Sequence, residues 1–207
     1  MAQSLAERLG YKPTDRLLIV NADDVAMSHE ANAATIDGME NGQITSGSIM
    51  VPCPWFAEIA HYAREHPNAD FGLHLTHTSE WKRYKWRPLS DASVVPGLID
   101  TLGNLWPSIE EVYENASPEQ AEVEIRAQIE LALKAGIDVT HLDSHMGTLQ
   151  FDPAYHEVYL KLAKEYDVPM RVASQETLDA FGMVGRRERV REDGVLFPDY
   201  MIYQERK

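Results

Sequence analysis

The chain has 207 residues, 44% of them hydrophobic, which is enough to bury a full core and predicts a single domain over residues 1–207. Its formal net charge of −14 argues against binding to nucleic acid or to an anionic membrane, because both need clustered Lys and Arg. The sequence shows no long apolar run and no basic leader, so we expect a cytoplasmic location without a membrane span; the single Cys53 excludes an intramolecular disulfide.

An apolar run that ends in two carboxylates lies near the start of the chain. Residues 17–23 predict a buried first strand, and Asp23 and Asp24 lie where that strand leaves the core. Adjacent carboxylates repel each other in a poorly solvated place, so a cation or a shared proton would be needed there. The structural alternative is that Asp24 or Ser28 simply caps the following helix.

Helices and strands alternate through the rest of the chain. Helices are predicted at 28–40, 55–65, 117–136 and 175–181, and a further helix is predicted to begin at the cap residue Asp152. Strands are predicted at 46–51, 71–75, 139–145 and 169–173. Residues 1–14 are expected to form a short helix or a loose arm, and 186–192 a solvated loop or helix face. This alternation implies parallel strands joined by right-handed crossovers, hence an α/β fold. Because each candidate site residue falls at a strand end, a (β/α) barrel-like fold is favoured over an open sheet.

Residues 76–117, which we call the long loop, show little periodicity. A stretch of this length inside a domain predicts a functional loop or lid insertion, with short helices inside it. Trp81, Tyr84 and Trp86 are candidates to stack on sugar rings. Aromatic residues spaced in this way are at least as often the private core of a loop, so both interpretations stay open.

Three of the predicted strands end in acidic or histidine side chains. Asp23 and Asp24 end the first strand, His74 the third, and Asp143 and His145 the fourth. The carboxyl ends of parallel strands share one face of the fold, so these side chains are expected to converge. A carboxylate with two imidazoles is a common ligand set for a divalent metal, with positions left open for water and substrate. One ion would also relieve the repulsion between the two aspartates.

The choice between His141 and His145 depends on the secondary structure. On a helix, their spacing would place both on one metal, but on a strand it separates them by about 13 Å at roughly 3.3 Å per residue. We therefore choose His145, nearer the rim, and interpret His141 as a strand histidine. Further candidate substrate contacts are His77, Asp143 and Arg171. The remaining histidines are interpreted as structural: His29, His61, His66 and His156.

Four short segments are the most distinctive parts of the sequence. They are LIVNADD at 18–24, GQITSGS at 42–48, GLHLT at 72–76 and THLDSH at 140–145. In this order they resemble the YdjC-like carbohydrate deacetylases of the chitooligosaccharide deacetylase type, over most of residues 16–175. The resemblance implies a distorted TIM-type barrel, often a homodimer, that acts on N-acetylated sugars with one magnesium or zinc ion.

Carried over position by position, the resemblance assigns the metal ligands to Asp24, His74 and His145 and the general base to Asp23. There are two departures from the family pattern. Met-Gly-Thr at 146–148 stands where the family has further histidines, so part of the usual sugar contact is missing and a different sugar is expected. A late histidine of the family lies on a strand beyond Lys207, so the chain is expected to lack the family's C-terminal portion.

Three functions are consistent with these residues. The leading hypothesis is metal-assisted hydrolysis of an N-acetyl group on a sugar, with Asp23 taking a proton from the attacking water. The same ion could serve a phosphoesterase or another hydrolase, for which the phosphate contacts would be Lys82, Arg83, Lys85 and Arg87. The third is a non-catalytic carbohydrate-binding protein on the same fold.

Overall fold

Four parallel strands form one sheet and follow one another in sequence order. The computed structural model describes residues 5–202. The strands are β1 (Asn21–Val25), β2 (Ser46–Ile49), β3 (Phe71–Leu75) and β4 (Val139–Ser144). The α-helices are α1 (Leu5–Arg8), α2 (His29–Glu40), α3 (Phe56–Glu65), α4 (Ile109–Asn115), α5 (Pro118–Lys134), α6 (Pro153–Glu165), α7 (Gln175–Ala180) and α8 (Arg186–Glu192). Two 3-10 turns are formed by Pro96–Leu98 and His145–Gly147.

The order of the strands distinguishes a barrel wall from a doubly wound sheet. The spatial order is β1-β2-β3-β4, all parallel, with each strand beside the next one along the chain. A doubly wound sheet would reverse its order at a switch point, whereas a barrel adds its strands in sequence. The prediction of a barrel-like α/β fold is therefore confirmed.

The helix starts follow the predicted capping residues. Ser28 accepts a hydrogen bond from the Ala31 N–H at the start of α2, at 3.2 Å. Asp152 accepts one from the Ala154 N–H at 2.8 Å and begins α6. Such side chains satisfy backbone donors that the first helical turn leaves unpaired, which is why these residue types mark helix starts in the sequence.

The first strand begins later than the sequence predicted. Residues 17–20 lie outside β1, and Leu18 and Ile19 are 78% and 67% exposed. The prediction of a buried strand from residue 17 was therefore wrong for this part. An apolar run becomes buried only where a second layer covers it. The pairing of β1 with β2 begins at Asn21 and Ser46, so the run lies ahead of the sheet.

The fifth strand predicted at 169–173 is reduced to one bridge. Met170 forms an isolated parallel bridge with Leu142 of β4. Beyond it, the Met170 N–H donates to the Leu196 carbonyl at 3.0 Å, and the Ala173 N–H donates to the Gln150 side chain at 2.7 Å. The Arg171 N–H donates to the Leu142 carbonyl of β4 at 2.9 Å, but the Met170 and Ala173 donors leave the ladder, so the segment pairs with β4 at one bridge.

Two buried polar side chains of α5 fasten the long loop to the rest of the fold. Gln128 exchanges two hydrogen bonds with the backbone of Thr76, at 2.9 and 2.7 Å. Glu124 accepts the N–H groups of Leu89 and Ser90, at 3.0 and 2.9 Å. The long loop also contains α4, in agreement with the expected short helices. No helix among the described residues is both long and apolar enough to cross a membrane.

Candidate active site

The carboxyl ends of three strands bring an aspartate and two histidines together. Asp24 Oδ1 lies 3.4 Å from His74 Nε2 and 3.2 Å from His145 Nδ1. One ligand atom from each of the three residues lies within 4.8 Å of the others. Both imidazoles are buried, whereas the Asp24 side chain is 40% exposed. This arrangement leaves one side of the cluster open to solvent.

An irregular backbone separates the two adjacent aspartates. Asp24 has φ of 58°, Ala26 has φ of 78°, and the pairing of β1 with β2 shifts register between Ala22 and Val25. The left-handed conformation costs a non-glycine residue about 1–2 kcal/mol. The Asn32 side chain supports the turn, because its Oδ1 accepts the Ala26 N–H at 2.7 Å. Asp24 can thereby face His74 and His145 while its neighbour Asp23 pairs with Arg171.

Asp23 is held by a two-pronged ion pair. Arg171 lies with Nη1 2.7 Å from Asp23 Oδ1 and with Nη2 2.9 Å from Asp23 Oδ2. Asn21 Nδ2 donates to Asp23 Oδ1 at 2.7 Å. Arg171 Nη2 also lies 2.5 Å from Asp143 Oδ2. The guanidinium of Arg171, proposed from the sequence as a substrate contact, is thus placed between two carboxylates, and it fixes the orientation of Asp23.

A second acidic cluster shares His74 with the first. Ligand atoms of Asp23, His74 and Asp143 also lie within 4.8 Å of one another. The guanidinium of Arg171 pairs with both of these carboxylates, so its charge would repel a cation bound between them. The cluster of Asp24, His74 and His145 is therefore the better candidate for a metal.

Each imidazole of this cluster has a carboxylate on its other nitrogen. His74 Nδ1 lies 2.6 Å from Asp143 Oδ2, and His145 Nε2 lies 3.0 Å from Glu80 Oε2. Histidines that bind metals usually have such a partner. Glu80 was not among the site residues predicted from the sequence. Its place in an aperiodic loop gives no local signal, and only a search for an acidic partner of His145 could have found it.

The electrostatics of the cluster favour positive charge. Burial alone would lower the pKa of His74, but pairing with Asp143 raises it to about 10. Burial likewise opposes protonation of His145, yet hydrogen bonds to Asp24 and Glu80 raise its pKa. Burial would raise the pKa of Asp24, but the two histidines hold it well below its usual range. A site with this excess of carboxylates, and with two imidazoles, fits a divalent cation.

The other candidate residues occupy different positions. His77 is fully buried with Nε2 3.2 Å from the Ala121 carbonyl, and burial lowers its pKa to about 4, so it faces α5 as a neutral ring. Trp86 is also buried, with its ring centroid 6.3 Å from that of His145. Trp81 is 52% exposed.

His141 lies on β4 outside both clusters. Its Nε2 is 3.0 Å from Ser48 Oγ, and its Nδ1 is 3.7 Å from Asp70 Oδ1. The side chain therefore belongs to a polar contact between strands. Cys53 is buried and unpaired, as expected for a small core residue.

The sheet order and the Asp-His-His cluster at the strand ends define a barrel-type α/β protein with a candidate metal centre. Residues 17–206 match the family model described as YdjC-like protein, and the chain belongs to this family. This confirms the resemblance that the four sequence segments indicated.

Several curated relatives carry the name carbohydrate deacetylase. The protein from Thermus thermophilus is 36% identical over 175 residues, which are 84% of this chain and 60% of the relative. The one from Brevibacillus brevis is 36% identical over 154 residues, 74% of this chain and 58% of the relative. The chain thus spans about three fifths of the length of these relatives.

A solved structure from Enterococcus faecalis V583 is also similar. The two chains superpose with a TM-score of 0.79 at 29% sequence identity. The superposition covers 92% of this chain and 69% of the Enterococcus faecalis chain. That protein is described as a candidate cellobiose-phosphate cleavage protein.

Proposed function

We propose that this protein is a metal-dependent carbohydrate deacetylase, which hydrolyses the acetyl group of an N-acetylated sugar or oligosaccharide. The observation that carries the proposal is the convergence of Asp24, His74 and His145, with Asp23 beside them. The names of the relatives from Thermus thermophilus and Brevibacillus brevis support the same activity. The location in the cytoplasm and the homodimer expected from the sequence stay predictions.

Asp24, His74 and His145 are the residues that would hold the ion. Two imidazoles and one carboxylate suit zinc by ligand softness, whereas magnesium prefers oxygen ligands, so zinc is our first choice and magnesium the second. When bound, such an ion polarises a carbonyl group and lowers the pKa of water. The open side of the cluster, beside Asp24, is where a substrate would enter.

Asp23 is the proposed general base. Oδ1 accepts hydrogen bonds from Arg171 and Asn21, whereas Oδ2 accepts one from Arg171 and keeps a second lone pair that can accept a proton from water. Water adds to the acetyl carbon as one of its protons passes to Asp23, and the C–N bond then breaks as the nitrogen takes up a proton, so that acetate and a free amine are released. Arg171 keeps the carboxylate in one orientation, so the base is held in place before the substrate binds.

The long loop is the proposed sugar-binding element. Trp81 is exposed and follows Glu80 directly in the chain, and sugars stack on exposed aromatic rings. Trp86 and His77 are buried, so we assign them to the support of the site and its loop. Met146, which stands where the family has a histidine, is 48% exposed on the rim and would offer an apolar contact.

Phosphate-ester hydrolysis is the second candidate, because the similar Enterococcus faecalis structure has a phosphorylated sugar in its name. Of the four basic residues considered for phosphate binding, two are engaged with backbone carbonyls. Lys85 Nζ donates to Ser79, and Arg87 Nη2 donates to Leu102 at 3.2 Å. Deacetylation is therefore the better supported proposal.

The test measures acetate release from diacetylchitobiose by the purified protein with Zn²⁺ or Mg²⁺, beside phosphate release from a sugar phosphate. We expect acetate release that a chelator abolishes and that the added ion restores. Phosphate release instead of acetate release would favour the second candidate. Sugar binding with metal present but without either product would favour a carbohydrate-binding protein.

A further inference from the structure

A carboxylate of the long loop completes a symmetrical pattern around the two imidazoles. His74 faces Asp24 with Nε2 and Asp143 with Nδ1. His145 faces Asp24 with Nδ1 and Glu80 with Nε2. Each ring therefore turns one nitrogen to the shared Asp24 and the other nitrogen to a carboxylate of its own.

Glu80 lies outside the ligand cluster itself. It belongs to neither of the two groups of described residues whose ligand atoms lie within 4.8 Å of one another. Its oxygen lies 3.0 Å from His145 Nε2, on the side of the ring away from Asp24. A carboxylate in this place accepts the ring N–H, fixes the tautomer and the ring orientation, and makes the opposite nitrogen a better ligand.

The backbone before Glu80 is held rigidly. Residues 76–79 are fully buried, and the Ser79 N–H donates to the Trp106 carbonyl at 2.7 Å. The Trp86 N–H donates to Ser79 Oγ at 3.1 Å, and the Trp86 ring packs edge-on against His145. Glu80 therefore extends from an anchored segment, and Trp86 limits the rotation of the same imidazole.

We propose that Glu80 is a positioning residue that holds His145 with a proton on Nε2, so that Nδ1 is free to bind a divalent cation. The inference rests on the proposed metal-dependent function. Glu80 acts through His145 and has no direct contact with substrate. The long loop thereby contributes a carboxylate to the support of the metal site in addition to any contact with sugar.

The test uses Co²⁺ as the probe, because its binding and its visible absorption report both affinity and ligand geometry. Wild type, Glu80→Ala and Glu80→Gln are titrated with Co²⁺, with Glu110→Gln as the matched control on the exposed surface of the same loop. We expect Glu80→Ala to bind Co²⁺ about 10–100-fold more weakly and to show a shifted absorption spectrum. The Co²⁺ affinity of Glu80→Gln should lie between those of wild type and Glu80→Ala, because its amide oxygen still accepts the Nε2 proton. The Co²⁺ affinity of Glu110→Gln should match that of wild type.

Three results would contradict the inference. Glu80→Ala with wild-type Co²⁺ affinity and spectrum would overturn it while leaving the proposed function intact. A loss as complete as that of His145→Ala would make Glu80 a ligand and overturn its role as a positioning residue. A wild-type chain that binds no Co²⁺ would overturn the proposed function together with the inference. Glu80→Gln keeps the test decisive if circular dichroism shows that Glu80→Ala does not fold.

Discussion

The two imidazoles of the candidate metal site are supported by different kinds of structure. His74 and its partner Asp143 are directly paired residues of the neighbouring strands β3 and β4. His145 follows β4, and its partner Glu80 comes from the long loop. The first pair is positioned by the backbone ladder of the sheet, and the second by side chains that fasten a loop. We refer to them as the sheet pair and the loop pair.

The two pairs also differ in their access to solvent. The Asp143 side chain is fully buried, whereas that of Glu80 is 27% exposed. Water can replace part of a lost contact at Glu80 but not at Asp143, where a removed charge leaves His74 and Arg171 each with one carboxylate partner fewer. The sheet pair should therefore tolerate substitution less well than the loop pair, although both serve the same cluster.

Removal of a ligand histidine should have the largest effect. His74→Ala deletes one of three ligands, so we expect Zn²⁺ affinity to fall by more than about 100-fold, beyond the usual effect of a supporting residue. Titration calorimetry measures this loss. His141→Ala is the matched control, because it removes a histidine of the same sheet that lies outside the clusters. Equal Zn²⁺ affinity of the two variants would contradict the assigned ligand set.

Asp23→Asn should separate chemistry from metal binding. The amide cannot act as a base, so the rate of acetate release should fall by about 10²–10⁴-fold, the usual contribution of general base catalysis. Zn²⁺ affinity should stay within a few fold of wild type, since Asp23 is not an assigned ligand. Deacetylation at the wild-type rate by Asp23→Asn would exclude it as the base.

Asp143→Asn tests the sheet pair directly. Loss of its charge weakens the support of His74 and leaves Arg171 with one carboxylate partner fewer. We expect Zn²⁺ affinity to fall by about 10–100-fold, towards the upper end of the range for supporting carboxylates. The loss should exceed that of Glu80→Gln, measured in the same titration. A larger loss of Zn²⁺ affinity in Glu80→Gln than in Asp143→Asn would show that burial does not make the sheet pair less tolerant of substitution than the loop pair.

Glu124→Gln should weaken the attachment of the long loop alone. The carboxylate accepts two part-buried backbone N–H groups and the side chain of Gln128, and an amide offers one oxygen, so at least one of these donors loses its acceptor. We expect the free energy of unfolding to fall by about 1–3 kcal/mol, measured by urea denaturation. Glu130→Gln, on the exposed face of the same helix, should unfold like wild type. A stability loss shared by both variants would point to helix propensity instead of loop attachment.

The amino-acid sequence alone determined the order of elements, the helix caps and three positions of the cluster. Apolar periodicity and capping residues are local signals that locate the strands and helices in the sequence. Because parallel strands all run in the same direction, residues at their carboxyl ends then lie at one end of the sheet. For this reason His74 and His145 could be chosen without coordinates, whereas the choice of Asp24 over Asp23 as the ligand came from the family resemblance. The apolar run at residues 17–20 predicted a buried strand wrongly, because apolar character does not show whether another layer of the fold covers the run.

Only the tertiary structure decided which side chains support these positions. Arg171 reaches Asp23 across 148 positions of sequence, and Glu80 reaches His145 across 65. Contacts of this kind depend on the path of loops and on the irregular backbone at Asp24, neither of which follows from periodicity. Local interactions set the helices and strands, whereas partners distant in sequence meet only when the whole chain has packed.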